Sequence, residues 1–141
     1  QYECLRSSRL QQPMSLVLID LDHFKRVNDL YSHLAGDLVL KRVSSLLKQQ
    51  VRDIDTLARW GGEEFALLLP NTTLGAAVDI CERIRHQITQ IDCQDIDKTM
   101  QLTASFGVAN SGTQGQPRQL ITQADAMLYL AKARGRNQVC A

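Results

Sequence analysis

The chain has 141 residues, 44% of them hydrophobic and 22% charged, and a formal net charge of +1. This is the composition of one globular domain with a core of its own, not of a disordered segment. The near-neutral balance argues against bulk attraction to nucleic acid or an anionic membrane, and no apolar run approaches the roughly 20 residues of a membrane span.

In chain order, residues 15–20 form a short apolar run rich in branched side chains, which predicts a buried strand. Two helical stretches follow. The second covers residues 35–50, with Leu38, Val39, Val43, Leu46 and Leu47 at helical spacing. Strand-like runs at 55–60 and 63–69 flank Gly61 and Gly62, which predicts a hairpin whose glycines take the positive φ of a tight turn. The Pro70-Asn71-Thr72-Thr73 stretch ends that strand and caps a helix running to about residue 90. A strand at 102–109, a loop at 111–117, an amphipathic helix at 120–134 and an edge strand at 138–141 complete the pattern. A hairpin mixed with helical crossovers indicates an α+β or α/β domain with helices packed on a central sheet. There is no internal repeat and no interdomain linker.

Charged residues gather at three places. Asp20 and Asp22 lie at the end of the first strand, where such sheets place ligands. Glu63 and Glu64 follow the glycine pair at a turn, a setting suited to a hard divalent cation. Lys132 and Arg136, four residues apart around the end of the last helix, can point the same way. Acidic groups for a cation and basic groups for phosphate are the parts that phosphoryl transfer needs. No GxxxxGK[ST] is present, so a P-loop is not the route. On residues alone, a solvated acidic turn is the plain alternative. The four cysteines, Cys4, Cys81, Cys93 and Cys140, have no CxxC or zinc-type spacing and indicate free thiols in a reducing cytoplasm.

The run Arg59-Trp60-Gly61-Gly62-Glu63-Glu64-Phe65 resembles the signature hairpin of the GGDEF family, in its GGEEF form. It stands in register with further matches. Asp20-Leu21-Asp22-His23-Phe24-Lys25 with Asn28-Asp29 resembles D-x-D-x-F-K-x-x-N-D, and Tyr31 to Asp37 is similar to Y-G-H-x-x-G-D. Thr103 to Ala109 resembles T-x-S-x-G-x-A, and the segment from Ala124 to Asn137 matches the closing helix. The resemblance runs from about residue 15 to the end of the chain. It implies an α+β, nucleotidyl-cyclase or polymerase-palm-like (ferredoxin-like) fold, a sheet of about five strands surrounded by helices. It also implies a diguanylate cyclase that condenses two GTP into cyclic di-GMP and two pyrophosphates at the interface of a homodimer.

The implied roles fall residue by residue. Asp20, Glu63 and the Leu21 backbone carbonyl would hold Mg²⁺ or Mn²⁺, two ions per GTP. Glu64 would be a second-metal ligand or help deprotonate the 3′-hydroxyl. The backbone amides of His23, Phe24 and Lys25 would cradle phosphates beside Gly61 and Gly62, with Lys132 and Arg136 clamping from the other side. Asn28 and Asp37 would read guanine, since a carboxylate accepts from N1–H and N2–H₂ and adenine offers no such pair. Arg52 and Asp55 match the family's R-x-x-D inhibitory site for product, with Arg83 reaching in from a partner domain. A surface ion pair at a helix end is the alternative for Arg52 and Asp55.

Two departures qualify the match. Ser32 replaces the glycine of Y-G-H, at a cost of roughly 1 kcal/mol if positive φ is needed there. Residues 1–13 show no counterpart of the family's upstream D-x-L-T-G-L-x-N-R segment. The chain is therefore expected to be a single domain cut just after that segment from a longer, multidomain protein, and residues 1–10 the remainder of the helix that follows it. The expected location is the cytoplasm, with sensor or other signalling domains fused elsewhere. The competing function is a catalytically silent GTP sensor or cyclic di-GMP receptor, or a regulator of an adjoining phosphodiesterase. Phe106, Met127, Leu128 and Tyr129 are expected in the core.

Overall fold

Every residue of β1 (Met14–Leu21) is buried, as an apolar run without polar alternation requires when both faces of a strand are covered. The computed structural model describes residues 13–111 and 117–141. The expected helical remnant over residues 1–10 and residues 112–116 of the expected loop lie outside the described residues. Around β1 the sheet runs β2-β3-β1-β4-β5, with β2 at Thr56–Arg59, β3 at Glu64–Pro70, β4 at Ala104–Asn110 and β5 at Val139–Cys140. β1 pairs antiparallel with β3 and β4, whereas β5 joins β4 in parallel. Four helices among the described residues flank this mixed sheet: α1 (Phe24–Leu30), α2 (His33–Gln50), α3 (Leu74–Thr89) and α4 (Pro117–Ala133). The fold is α+β, as expected.

Alternation along the strands sorts the core into two layers. Val17, Ile19, Phe65, Leu67 and Phe106 face one side and are closed by Val39, Val43, Leu47 and Ile84 of α2 and α3. Leu16, Leu18 and Ala66 face the other and are closed by Leu120, Ala124 and Leu128 of α4, one stripe recurring every four residues. The close fit of α4 depends on Gly107: a Cβ there would lie 2.2 Å from the Ala124 carbonyl oxygen and 2.3 Å from the Leu128 nitrogen. Tyr129, expected in the core, is 75% exposed. Leu128 takes the sheet-facing place, and the next residue is carried about 100° around the helix into solvent.

Two caps behave as their residue types dictate. Thr73 Oγ1 accepts from the Ala76 amide at 3.2 Å and starts α3. Ser32 Oγ accepts from the Ala35 amide at 3.1 Å and starts α2, with a near-extended φ of 158°. Serine in place of glycine therefore serves as a helix cap.

Cys81, Cys93 and Cys140 are free and buried, and burial pushes the Cys81 and Cys93 thiols up from their ordinary pKa. A thiol-reactive dye at neutral pH is expected to leave these three unlabelled in the native domain and to label all three in denaturant. Rapid native labelling of any of them, resolved by peptide mass, would contradict this packing.

Candidate active site

Segments distant in sequence meet where β1 ends. Asp20 stands opposite Glu64 on β3 and Ser105 on β4, is only 6% exposed, and its Oδ2 accepts from the Lys132 ammonium of α4. The Leu21 amide donates to the Glu63 carbonyl at 3.2 Å, which ties the hairpin loop to the strand end. Asp20, Leu21, Asp22 and Glu63 line a cleft together with His23, Phe24 and Lys25 and with Lys132 and Arg136. His23 turns the chain from β1 into α1 with a left-handed backbone, φ 57° and ψ 28°, a conformation that is unfavourable by roughly 1 kcal/mol for a residue with a Cβ. The first amides of α1, which no helical carbonyl can accept, therefore stand beside the cleft.

The expected guanine readers lie to one side. A Cβ on Gly36 would fall 1.8 Å from Asn28 Oδ1, so the missing side chain is what admits Asn28 between α1 and α2. Asp37 follows Gly36 directly and lines a separate polar groove with Leu40, Lys41 and Arg59. Asn28 and Asp37 are thus neighbours through Gly36, and neither lines the cleft that joins Asp20 to Lys132. The two glutamates also part company. Glu63 faces the cleft, whereas Glu64 lines an adjacent pocket with Trp60, Ile121 and Asp125.

The turn chemistry expected of the hairpin needs correction. β2 and β3 pair antiparallel, but neither Gly61 nor Gly62 has a positive φ; among the described glycines only Gly135 does. Residues 60–63 form a longer loop between Arg59 and Glu64, and such loops are usually built on turns open to any residue. The loop is closed by the Trp60 amide on the Glu64 carbonyl at 2.8 Å. Arg59, which the sequence reading left without a role, adds bonds to the Gly62 carbonyl from Nη2 at 2.7 Å and Nε at 3.2 Å. No heavy atom lies within 4 Å of a Cβ placed on Gly62, so that flank of the site stays open.

Among the described residues no three His, Cys, Asp or Glu side chains converge on a point. The cleft instead offers three carboxylates, Asp20, Asp22 and Glu63, beside the backbone of Leu21; Asp22 already accepts from Thr103, Ser105 and Asn137, which leaves Asp20 and Glu63 for a cation. This all-oxygen set suits Mg²⁺, which commonly takes one or two carboxylates and fills its shell with water and substrate phosphates. The Lys132 ammonium on Asp20 shows that carboxylate already receiving a positive charge.

Arg52 and Asp55 form a compact unit. Arg52 Nη2 donates to Asp55 Oδ1 at 2.8 Å, to the Pro70 carbonyl at 3.0 Å and to Thr72 Oγ1 at 2.9 Å, and the Arg52 amide reaches Asp55 Oδ2 at 2.7 Å. Hydrogen bonding to Asp55 raises the guanidinium pKa further, so Arg52 stays charged. Its side chain remains 48% exposed. Arg83 Nε donates to Gln50 Oε1 at 3.2 Å, which sets it near the end of α2, just before Arg52.

The family model for the GGDEF domain, described as diguanylate cyclase, matches residues 1–138. The chain belongs to the GGDEF family. Among its relatives, Diguanylate cyclase A of Treponema denticola is 37% identical over 139 residues, covering 98% of this chain and 38% of that protein. The chain thus spans well under half the length of that curated relative. The GGDEF domain of DgcB from Caulobacter crescentus, solved in complex with c-di-GMP, superposes with a TM-score of 0.93 at 29% identity over 99% of this chain and 84% of that one. The active GGEEF domain of a diguanylate cyclase from Vibrio cholerae gives 0.92 at 31% identity, over 99% and 89%. These neighbours confirm the palm-like nucleotidyl cyclase fold for this GGDEF domain. No helix among its described residues is long and apolar enough to cross a membrane.

Proposed function

We propose that this GGDEF domain is a diguanylate cyclase, which condenses two GTP into cyclic di-GMP and two pyrophosphates. The observation that carries this reading is the convergence of Asp20 and Glu63 with Lys25, Lys132 and Arg136 on one cleft at the end of β1. Lys25, Lys132, Arg136 and the amides of His23, Phe24 and Lys25 hold the triphosphate and take up charge as pyrophosphate leaves. Asn28 and Asp37 bind the guanine edge from the α1–α2 side, and a base without the matching donors leaves them unpaired. A divalent cation on Asp20, Glu63 and the Leu21 carbonyl, with a second such ion, supplies phosphate neutralisation and a lowered pKa for the 3′-hydroxyl. Glu64, exposed beside Gly61, accepts the proton of that hydroxyl or shares the second ion.

One cleft holds one GTP, and its 3′-hydroxyl must attack the α-phosphate of another. Two domains therefore face each other across a two-fold axis, and a lone domain binds GTP without turning it over. Arg52, Asp55 and a partner's counterpart of Arg83 form the inhibitory site for product. The domain works in the cytoplasm, under sensor or other signalling domains in the remainder of a longer protein.

The test is incubation of the concentrated domain, and of a version fused to a dimerising coiled coil, with GTP and Mg²⁺ or Mn²⁺, followed by chromatography for cyclic di-GMP. Product that disappears with Glu63→Ala and Glu64→Ala supports the cyclase. A dimerised domain that binds GTP yet makes nothing is a sensor, the second reading. For the inhibitory site, Arg52→Ala is expected to raise the half-inhibiting concentration of cyclic di-GMP at least about tenfold, because a charged hydrogen bond contributes about 1.5–3 kcal/mol. Inhibition curves that coincide for the two proteins would leave Arg52 with only its bonds to Asp55, Pro70 and Thr72.

A further inference from the structure

Asp22 lines the cleft without a part in the chemistry proposed above, and its carboxylate accepts three hydrogen bonds. Oδ2 accepts from Thr103 Oγ1 at 2.7 Å and from the Asn137 amide at 3.0 Å, and Oδ1 accepts from Ser105 Oγ at 2.7 Å. The Asp22 amide donates in turn to the Thr103 carbonyl at 2.9 Å. One carboxylate thus gathers the end of β1, the start of β4 and the segment that follows α4. A carboxylate holding three donors is poorly disposed to serve as a metal ligand as well.

The segment it holds is unusual. Gly135, Arg136 and Asn137 have φ of 115°, 64° and 47° in succession. Left-handed backbone is unfavourable for Arg and tolerated by Asn, so such a turn persists only where its surroundings fix it. The fixing bonds can be named. The Arg136 amide donates to the Ala131 carbonyl at 3.0 Å. Arg85 Nη1 of α3 donates to Asn137 Oδ1 at 2.9 Å. Gln138 Nε2 spans the Arg134 and Arg136 carbonyls at 3.1 Å each. The Phe106 amide holds the Gln138 carbonyl at 2.9 Å, Asp22 supplies the side-chain tie to the sheet, and the turn's middle residue is the Arg136 that lines the cleft.

We propose that Asp22 is a positioning residue: it locks the left-handed turn after α4 and so aims the Arg136 guanidinium at the phosphates of the bound nucleotide. The identity of that ligand rests on the cyclase reading; the mechanical link does not. Asparagine can reproduce the link. Its carbonyl oxygen accepts from Asn137 and Thr103, its amide donates to Ser105 Oγ, and the hydroxyl rotates to accept.

The test measures binding of a non-hydrolysable GTP analogue and of GMP, each with Mg²⁺, by calorimetry. The expected result is that Asp22→Ala weakens the analogue at least tenfold and GMP less than twofold. Arg136→Ala does the same, and the double variant is no weaker than either single one, because both remove one contact. Asp22→Asn stays within threefold of the parent. Overturning results are an Asp22→Asn protein as weak as Asp22→Ala, which would make the charge itself the contribution, penalties that add in the double variant, or an Asp22→Ala protein that binds normally. Should Asp22→Ala fail to fold, Thr103→Val takes its place, since it removes a bond that orients Asp22; a loss of less than twofold for the analogue then overturns the proposal. If the parent binds Mg²⁺–tripolyphosphate but not the analogue, the nucleotide reading fails and the same contrasts on tripolyphosphate judge Asp22. If it binds neither, both ideas fall.

Discussion

Gly107→Ala is expected to lower the melting temperature of the domain by roughly 10 °C or more, the equivalent of about 3 kcal/mol for a chain of this size. The added methyl would meet the Ala124 carbonyl oxygen at 2.2 Å, the Leu128 nitrogen at 2.3 Å and the Leu128 Cα at 2.8 Å. All three atoms are backbone, so no rotamer change relieves the overlap, and α4 must lift from β4. Lifting α4 also carries Lys132 away from Asp20, so nucleotide binding should fail before the protein unfolds. Thermal denaturation followed by circular dichroism decides the matter. A melting point within about 2 °C of the parent, under 1 kcal/mol on the same scale, would mean that α4 does not pack this closely on the sheet.

Asp20→Asn should give the reverse pattern, with stability nearly kept and turnover lost. Lys132 is 34% exposed at its side chain, so its ammonium can reach water once the partner charge is gone, and the asparagine still fills the buried volume. Catalysis has no such escape. On the proposed cyclase reading, removing a carboxylate that would hold the cation should cost about 4 kcal/mol of transition-state stabilisation, or about 10³-fold in rate. Cyclic di-GMP formation by a dimerised protein, measured at saturating GTP and Mg²⁺ with a melting curve in parallel, separates the two effects. More than a tenth of the parent rate would reduce Asp20 to the role of ion-pair partner for Lys132.

What could be read from the sequence followed from how local each signal is. β1, the amphipathic α4 and the Thr73 cap depend on runs and spacings a few residues long, and the structure has them close to where the pattern put them. The hairpin was legible as a pairing but not as a turn: a glycine pair suggests positive φ, whereas the loop here is long enough to do without it. Glu63 and Glu64 are adjacent letters that part because consecutive residues leave the backbone in different directions. Asp22 was visible as an acid near Asp20, but its partners Thr103, Ser105 and Asn137 lie more than 80 positions away. Only the placement of β4 and the turn after α4 beside β1 reveals what that carboxylate holds.

The strand order has a consequence for how the molecule comes into being. β1 is made early but sits at the centre of the sheet and needs β4 as a neighbour, and the Asp20–Lys132 contact spans 112 positions of sequence. Such distant partners slow folding, because loop-closing entropy is lost before any contact compensates for it. During synthesis, at roughly 5–20 residues per second, the nascent chain has no complete ligand site until Arg136 has emerged. Nucleotide can therefore capture only chains made through Arg136. Its binding should protect the whole fold against heat and proteases, by about 2.7 kcal/mol at a hundredfold excess over Kd, and not merely steady the loops around the ligand.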